Sequence, residues 1–433
     1  MDNMMKLADF ILAEAKSLGA DYCQCTVGES EKREFNVDGG RFSLMRTLFD
    51  RGVEVTVLKK QRKGTVHINR FDEDAVRAAV ADSVAASESA EPDPAWQFAE
   101  GPIDESYTDG APECDTEALF ARTKELMADV TSRHPKILME QMITEHNAHR
   151  AVYKNSQGVT YRTASGDYHF SLMYSAHEGE KGSSFYGSEV TLADLDKPVI
   201  DCALIERELS AVEKQIETQP LVGKFVGTAV MAPMALLETV VSTVLFNFVS
   251  DRCLIDGTSI WKDKLGEQVA DPRLTITFDP RAKHVVSGQH YTGEGYPAQG
   301  YDLIREGRLT SFALSQYGAN KTGGKRAACS SWEGAITAGE KTLDEIISGV
   351  ERGVLVMRFS GGEPAASGEF SGVAKNGFLI ENGKITCALS ETMISACVPD
   401  MLNNIRDISS DVLQDGSLSV PYIAFDGITI SGQ

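Results

Sequence analysis

"MAPMALLETVVSTVLFNFVS", residues 231–250, carries a single charge, Glu238. The apolar run reaches back to Phe225, because no other charge falls between Lys224 and Asp251. Such a stretch is a membrane span, a buried core helix, or an active-site helix in which Glu238 works. The membrane reading fails on detail. Pro233 interrupts the run and Thr, Ser, Asn and Glu dilute its second half, whereas a span needs ~20 unbroken apolar residues. Before Pro233, "LVGKFVGTAVMA" is short and rich in Val and Gly, as a strand is. After it, Leu237, Val240, Val241, Val244, Leu245 and Phe248 follow the spacing of one helical face. The segment reads as a strand, a proline turn and a buried helix over 234–249.

Working outward from that helix, the chain divides by texture. An amphipathic helix over about 4–19, carrying Leu7, Phe10, Ile11 and Leu18 on one face, is followed by strand-like segments from "YCQCTVGE" to "GTVHIN". Asp72 then reads as the N-cap of a second helix. These elements make an α+β unit at 1–87. Residues 88–117 hold ten acids, no Lys or Arg, and four prolines, which reads as an acidic linker at 88–114. A second α+β unit opens at Asp115 and runs over 115–219. From 220 to 433 the chain turns to strands and many glycines, a β-rich C-terminal domain that contains the 234–249 helix. The fold class is therefore α+β: an N-terminal α/β region of two units, then a β-rich domain. "LIREGRLT" at 303–310 and "LIENGKIT" at 379–386 predict two hairpins, the second with the favoured Asn382-Gly383 turn.

Composition narrows the function. With 42% hydrophobic and 24% charged residues, the chain can bury large cores without metal or disulfide staples. Its 42 Lys+Arg against 63 Asp+Glu give a net charge of −21, which repels a phosphate backbone and argues against direct nucleic-acid binding. The densest basic run, "KKQRKG" at 59–64, reads as a hairpin tip. Eight scattered cysteines form no CxxC pair. The opening residues lack a basic region followed by an apolar core and cleavage site. Together these lead to the expectation of a reducing, cytoplasmic location.

Each candidate for chemistry has a plain alternative. "EHNAH" offers Glu145, His146 and His149, but on a strand the two histidines point to opposite faces. "KHVVSGQHYTGEG" offers His284, His290 and Glu294, with Cys329 as a possible further metal ligand, in no established zinc spacing. GxGxxG, GxxxxGK[ST] and GxSxG are all missing, so nucleotide binding and an α/β-hydrolase triad have no support. The 234–249 helix contains no histidine, and Glu238 alone cannot hold a catalytic zinc.

In order along the chain, "DRGVEVTVLKKQRKGTVHINRFDEDAVRAAV" (50–80), "KNSQGV" (154–159), "IDGTSIWKDKLGEQVADPRLTITFDP" (255–280), "GEGYPAQGYDLIREGRLTSFALSQYGANKTG" (293–323) and "FSGVAKNGFLIENGKIT" (370–386) resemble the TldD/PmbA family, and more its PmbA/TldE branch. The family is also called modulators of DNA gyrase, a phenotype name that implies no DNA contact. The resemblance implies an N-terminal α/β region and a β-rich C-terminal domain. It also implies that the TldD branch is a zinc metalloprotease whose helix bears HExxxH, paired with a PmbA/TldE subunit to act on peptides.

This sequence departs from that pattern at the helix. Counted from Pro233, the metal motif falls on "VSTVLF", with Val241, Ser242 and Phe246 at the ligand and glutamate positions. A shifted register, "LETVVS", puts Leu237 and Ser242 where histidines would stand. The resemblance therefore implies a subunit without catalytic, cofactor or metal residues of its own. Zinc is expected in a TldD-like HExxxH partner, in a heterodimer or with self-pairing as a homodimer. The substrate would be a peptide, with neither nucleic acid nor membrane as partner. The glycine-rich loops Gly293–Gly300 and Gly323–Arg326 are candidate chamber linings, or simply turns. Two other readings stand beside this one: a homodimeric peptide-binding scaffold, and an autonomous hydrolase built on His284, His290 and Cys329.

Overall fold

A computed structural model of the chain describes residues 1–362 and 364–432. Two mixed sheets, one of eight and one of fourteen strands, organise it, and the helices lie against them, so the class is α+β as expected.

The first sheet grows from long strands. β1 (Tyr22–Asp38) and β2 (Arg41–Lys59) form a hairpin; β3 (Arg62–Ile68) comes after the tip at Lys60 and Gln61, both at positive φ. β5 (Ile137–Asn155) pairs antiparallel with β1 along its length, and β6 (Val159–Glu178) continues outward from β5. Helices α1 (Asp2–Ser17) and α2 (Glu73–Ser89) cover one end of one face, burying Cys23, Cys25, Val27, Val53, Val55 and Val57. Alternate residues of a strand share a face, so Cys23, Cys25 and Val27 of β1 point together into this core. Asp72 caps α2, accepting the Ala75 N–H at 3.0 Å, as the sequence predicts. Helix α3 (Thr116–Arg133) covers the other end of that face, over Phe35, Val37 and Met142.

One domain expectation is corrected. The stretch 88–114 is not simply a linker: residues Ile103–Gly110 form β4, which runs parallel to β6 as the edge of the sheet. Its burial pattern leaves Asp104 and Glu105 exposed, so a solvated edge strand has the composition of a loop. Residues 1–87 and 115–219 are joined through their strands. They share one sheet, because β1 and β5 pair across more than a hundred residues of sequence.

The second sheet is centred on Leu418–Ser431, which pairs antiparallel with Lys224–Met231 and with Ile405–Gln414. The two predicted hairpins form at Glu306-Gly307 and Asn382-Gly383, all four residues at positive φ. One core lies between this sheet and the 233–249 helix, around Leu236, Val240, Val244, Phe248, Phe425 and Ile430. Another joins α3 and the helix Ile205–Glu213 to strands of both sheets. Among the described residues, no helix is long and apolar enough to cross a membrane.

Candidate functional site

The helix of the opening segment starts with Pro233 in its first turn, where a missing N–H has no intrahelical partner to lose. Its hydrogen bonding then shifts to the i→i+5 pattern over Leu237–Val241 and Val244–Val249. Hydroxyls inside the helix bond backward: Thr239 donates to the Ala235 carbonyl at 2.6 Å, Thr243 to Thr239 at 2.6 Å and Ser242 to Glu238 at 3.0 Å. Such bonds satisfy carbonyls that the wider pattern would leave short of a donor.

The widened turn also sets which residues face out. Leu236, Val240, Val244 and Phe248, four apart, are buried, while Leu237, Glu238, Val241 and Ser242 are half-buried and Phe246 is 62% exposed. The expected apolar face is thus rotated. Leu237 and Val241 lie at the margin of the core rather than inside it. The open side of the helix is a mostly apolar strip. At one end Glu238 accepts the Phe359 N–H at 2.7 Å and lies 3.9 Å from the Arg358 guanidinium, which covers the ring of Phe185 at 4.9 Å. Burial pushes the Glu238 carboxyl up from its ordinary value. At the other end Phe246 packs against Trp332 at 6.0 Å, and Trp332 meets Phe278 edge-on at 5.8 Å. Phe185 and Trp332 remain exposed.

Val241, Ser242 and Phe246, the positions singled out by register, all lie on this strip. Zinc takes imidazole nitrogen, thiolate or carboxylate. The three positions offer a branched alkyl group, a hydroxyl already bonded to backbone carbonyls at 3.0 and 3.1 Å, and a phenyl ring. The donor set does not fit zinc, and Glu238 is committed to a backbone N–H.

The alternative metal site at His284, His290 and Cys329 does not assemble. The His284 Nε2 lies 3.0 Å from the Gly334 carbonyl, and the His290 Nε2 lies 2.5 Å from Asp109 with its ring stacked on Tyr107 at 3.8 Å. Cys329 is buried, and burial raises its thiol to about 11, far from a ready thiolate. Among the described residues no three His, Cys, Asp or Glu side chains gather as a metal group. "EHNAH" divides as the strand period requires: His146 is buried 2.7 Å from the Ala111 carbonyl, His149 is exposed, and Glu145 pairs with Lys32 at 2.8 Å.

The loop at Gly293–Gly300 has a structural task of its own. Gln24 donates to the Gly293 carbonyl at 3.0 Å, Tyr161 donates to the Gly295 carbonyl at 3.3 Å, and Tyr291 stacks on Tyr161 at 4.4 Å. Gly295, at φ 83, has no room for a Cβ beside Tyr153. The loop pins the second sheet to the first. Near the second glycine loop, Arg326 covers the ring of Tyr296 at 4.3 Å.

Two family models match: the PmbA/TldA metallopeptidase C-terminal domain over residues 227–432, and PmbA/TldA metallopeptidase domain 1 over residues 26–87. The chain belongs to the TldD/PmbA family. Metalloprotease PmbA of Escherichia coli O157:H7 is 24% identical over 456 residues, covering 96% of this chain and 94% of that one. A metalloprotease TldD homolog of Haemophilus influenzae is 29% identical over 202 residues, covering 40% of this chain and 42% of that one. The crystal structure of TldE from Thermococcus kodakarensis superimposes with a TM-score of 0.85 at 19% identity, over 99% of this chain and 100% of that one, so the fold is shared. Within this TldD/PmbA chain, the matched C-terminal domain contains both the helix and its rim at Trp332 and Arg358. Phe185, Trp332 and Arg358 escaped the sequence reading, since nothing in their local pattern brings them to one helix.

Proposed function

We propose that this chain is a PmbA/TldE-type, non-catalytic subunit of a TldD/TldE-type cytosolic zinc metalloprotease that acts on unfolded peptides or small proteins. The observation that carries the reading is the open face of helix 233–249. It holds Val241, Ser242 and Phe246 where the family resemblance implies HExxxH, and it remains accessible. A zinc-binding face stripped of its ligands keeps its architecture, because the opposite face alone packs the core. What remains, Leu237, Val241, Phe246 and Trp332 with the Arg358–Glu238 pair at one end, suits the apolar side chains of an unfolded peptide. Zinc and the chemical step belong to the HExxxH partner. Eight free cysteines accord with a reducing compartment.

The test is a peptide-hydrolysis assay on this chain alone, a TldD-type HExxxH chain alone, and the two together, with zinc measured in each. Hydrolysis in the mixture beyond that of the HExxxH chain, with the present chain inert and nearly zinc-free, is the expected result. Hydrolysis by the present chain alone, with about one zinc per chain, overturns the reading.

A further inference from the structure

A cavity of about 360 Å³ is lined by residues of two turns, around 375–376 and 389–391, and by the segment that follows the helix Ile205–Glu213. Its volume falls within the range of small-molecule sites, about 300–1,000 Å³. Val373, Leu389 and Met393 give it apolar walls, and Gln215 and Asn376 give it two amides. The cavity adjoins the Glu238 end of the helix strip without sharing a residue with it. Ser184, which lines it, precedes Phe185 in the chain. Lys375, which also lines it, stands opposite Arg358 in the ladder between Arg358–Gly361 and Glu369–Lys375.

Both amides are buried, Asn376 at 5% exposure and Gln215 at 2%. Neither the Oδ1 nor the Nδ2 of Asn376 has a hydrogen-bond partner among the described residues, and the Nε2 of Gln215 has none either. Buried polar groups are nearly always paired, because an unpaired one gives up its water for nothing. The local fold does not need the Asn376 amide. Its backbone, at φ 50, suits an Asn, and main-chain bonds hold the turn around it. The Ala374 N–H donates to the Thr392 carbonyl and the Leu389 N–H to the Gly377 carbonyl, each at 2.8 Å. Exchanging the two ends of the Asn376 amide changes nothing, since both are unpartnered.

The chemistry of these groups selects a ligand. Asn376 offers one acceptor and one donor side by side, and Gln215 adds a second donor. A carboxylate only accepts, so it would leave the Asn376 oxygen unpaired against a like charge. An ammonium group only donates, so it would leave both amide nitrogens unpaired. A primary carboxamide does both: its N–H donates to the Asn376 Oδ1, and its oxygen accepts from the amide nitrogens. A short methylene stem behind it meets Val373, Leu389 and Met393.

We propose that this cavity is a binding site for a primary carboxamide on a short aliphatic stem. The group is the side chain of a Gln or Asn in a peptide, or that of a free small amide. This inference stands without the proposed function, since binding is read on the chain alone, with neither hydrolysis nor an HExxxH partner.

Titration calorimetry on the full chain tests it with N-acetyl methylamides of glutamine, glutamate and methionine, three side chains of similar length. The glutamine probe is expected to bind at least about tenfold tighter than the other two. A ten-residue peptide with one Gln among Ala and Ser separates the sources. Tighter binding of the peptide than of the capped residue assigns the site to peptides, and equal binding assigns it to a free amide. Asn376→Gly keeps the left-handed backbone and removes the amide, and Gln215→Leu keeps the bulk and removes the donor. Each should weaken the glutamine probe at least about tenfold. Should either variant fail to fold by circular dichroism, the other decides, and the ranking of the three probes on the wild type decides by itself. No binding of the glutamine probe up to about 10 mM means that the cavity takes only water, and overturns the proposal. Equal binding of the three probes overturns it, as does undiminished binding by a folded variant.

Discussion

The N–H of Phe359 donates to the carboxylate of Glu238 at 2.7 Å, and this bond ties the N-terminal part of helix 233–249 to the edge strand Arg358–Gly361. The lone charge of the opening segment is therefore an anchor. Removing it by Glu238→Ala leaves a backbone donor without its partner and costs about 1–2 kcal/mol. Glu238→Gln keeps an oxygen acceptor and costs less. Urea unfolding midpoints report the difference, and an Ala variant as stable as wild type would show that the bond does not hold the helix.

Positions 241 and 246 stand five apart on a helix with i→i+5 bonding, about one turn, and both reach the open side. Installing the lost motif as Val241→His, Ser242→Glu and Phe246→His should therefore create two imidazoles on one face. Zinc retained after dialysis is expected to rise at least about tenfold over wild type. A folded triple variant with no gain in zinc would mean that this face lacks the geometry of a metal site.

Glu208 is buried, accepting hydrogen bonds from the Ser188 and Tyr186 hydroxyls, and burial raises its carboxyl from the ordinary 4.5 to about 7. Below the ordinary value both folded and unfolded states hold the proton, so the group is neutral to stability. As pH rises from there to about 7, the unfolded chain releases the proton while the folded chain keeps it, and stability falls. The loss is on the order of 3 kcal/mol and levels off above the folded value. Glu208→Gln should flatten this window in a series of urea melts. An unchanged slope would assign the pH dependence to other groups.

His290 joins the second sheet to β4 through Asp109 and the ring of Tyr107. His290→Ala should lower stability by about 1–2 kcal/mol by deleting the stack and the hydrogen bond. It should leave zinc content unchanged. A loss of bound zinc in this variant would revive the hydrolase reading, and a loss of neither would place the contact outside the folded core.

Several features were legible in the residues themselves. Pro233, the apolar spacing beyond it and the dilution by Thr and Ser identify a core helix, because helix geometry is local. Asp72 as a cap and Asn382-Gly383 as a turn follow from side-chain and φ preferences that act within four residues. The family motifs were likewise readable as strings. β4 was not, because an edge strand with exposed Asp104 and Glu105 has the composition of a loop until its partner, β6, is known.

The sequence by itself determined the core helix beyond Pro233, the cap at Asp72, the two hairpin turns, the α+β class, the missing imidazoles on helix 233–249 and the family resemblance, all of which depend on residue type and short spacing. Only the tertiary structure decided that 1–87 and 115–219 share one sheet, since β1 meets β5 across a separation that no local pattern encodes. It alone showed Glu238 bound to Phe359, the helix rotated by its i→i+5 turns, and Phe185 and Trp332 at the two ends of one strip. Contacts of that kind arise from chain closure and packing over distance, and they exist only once the whole fold is in place.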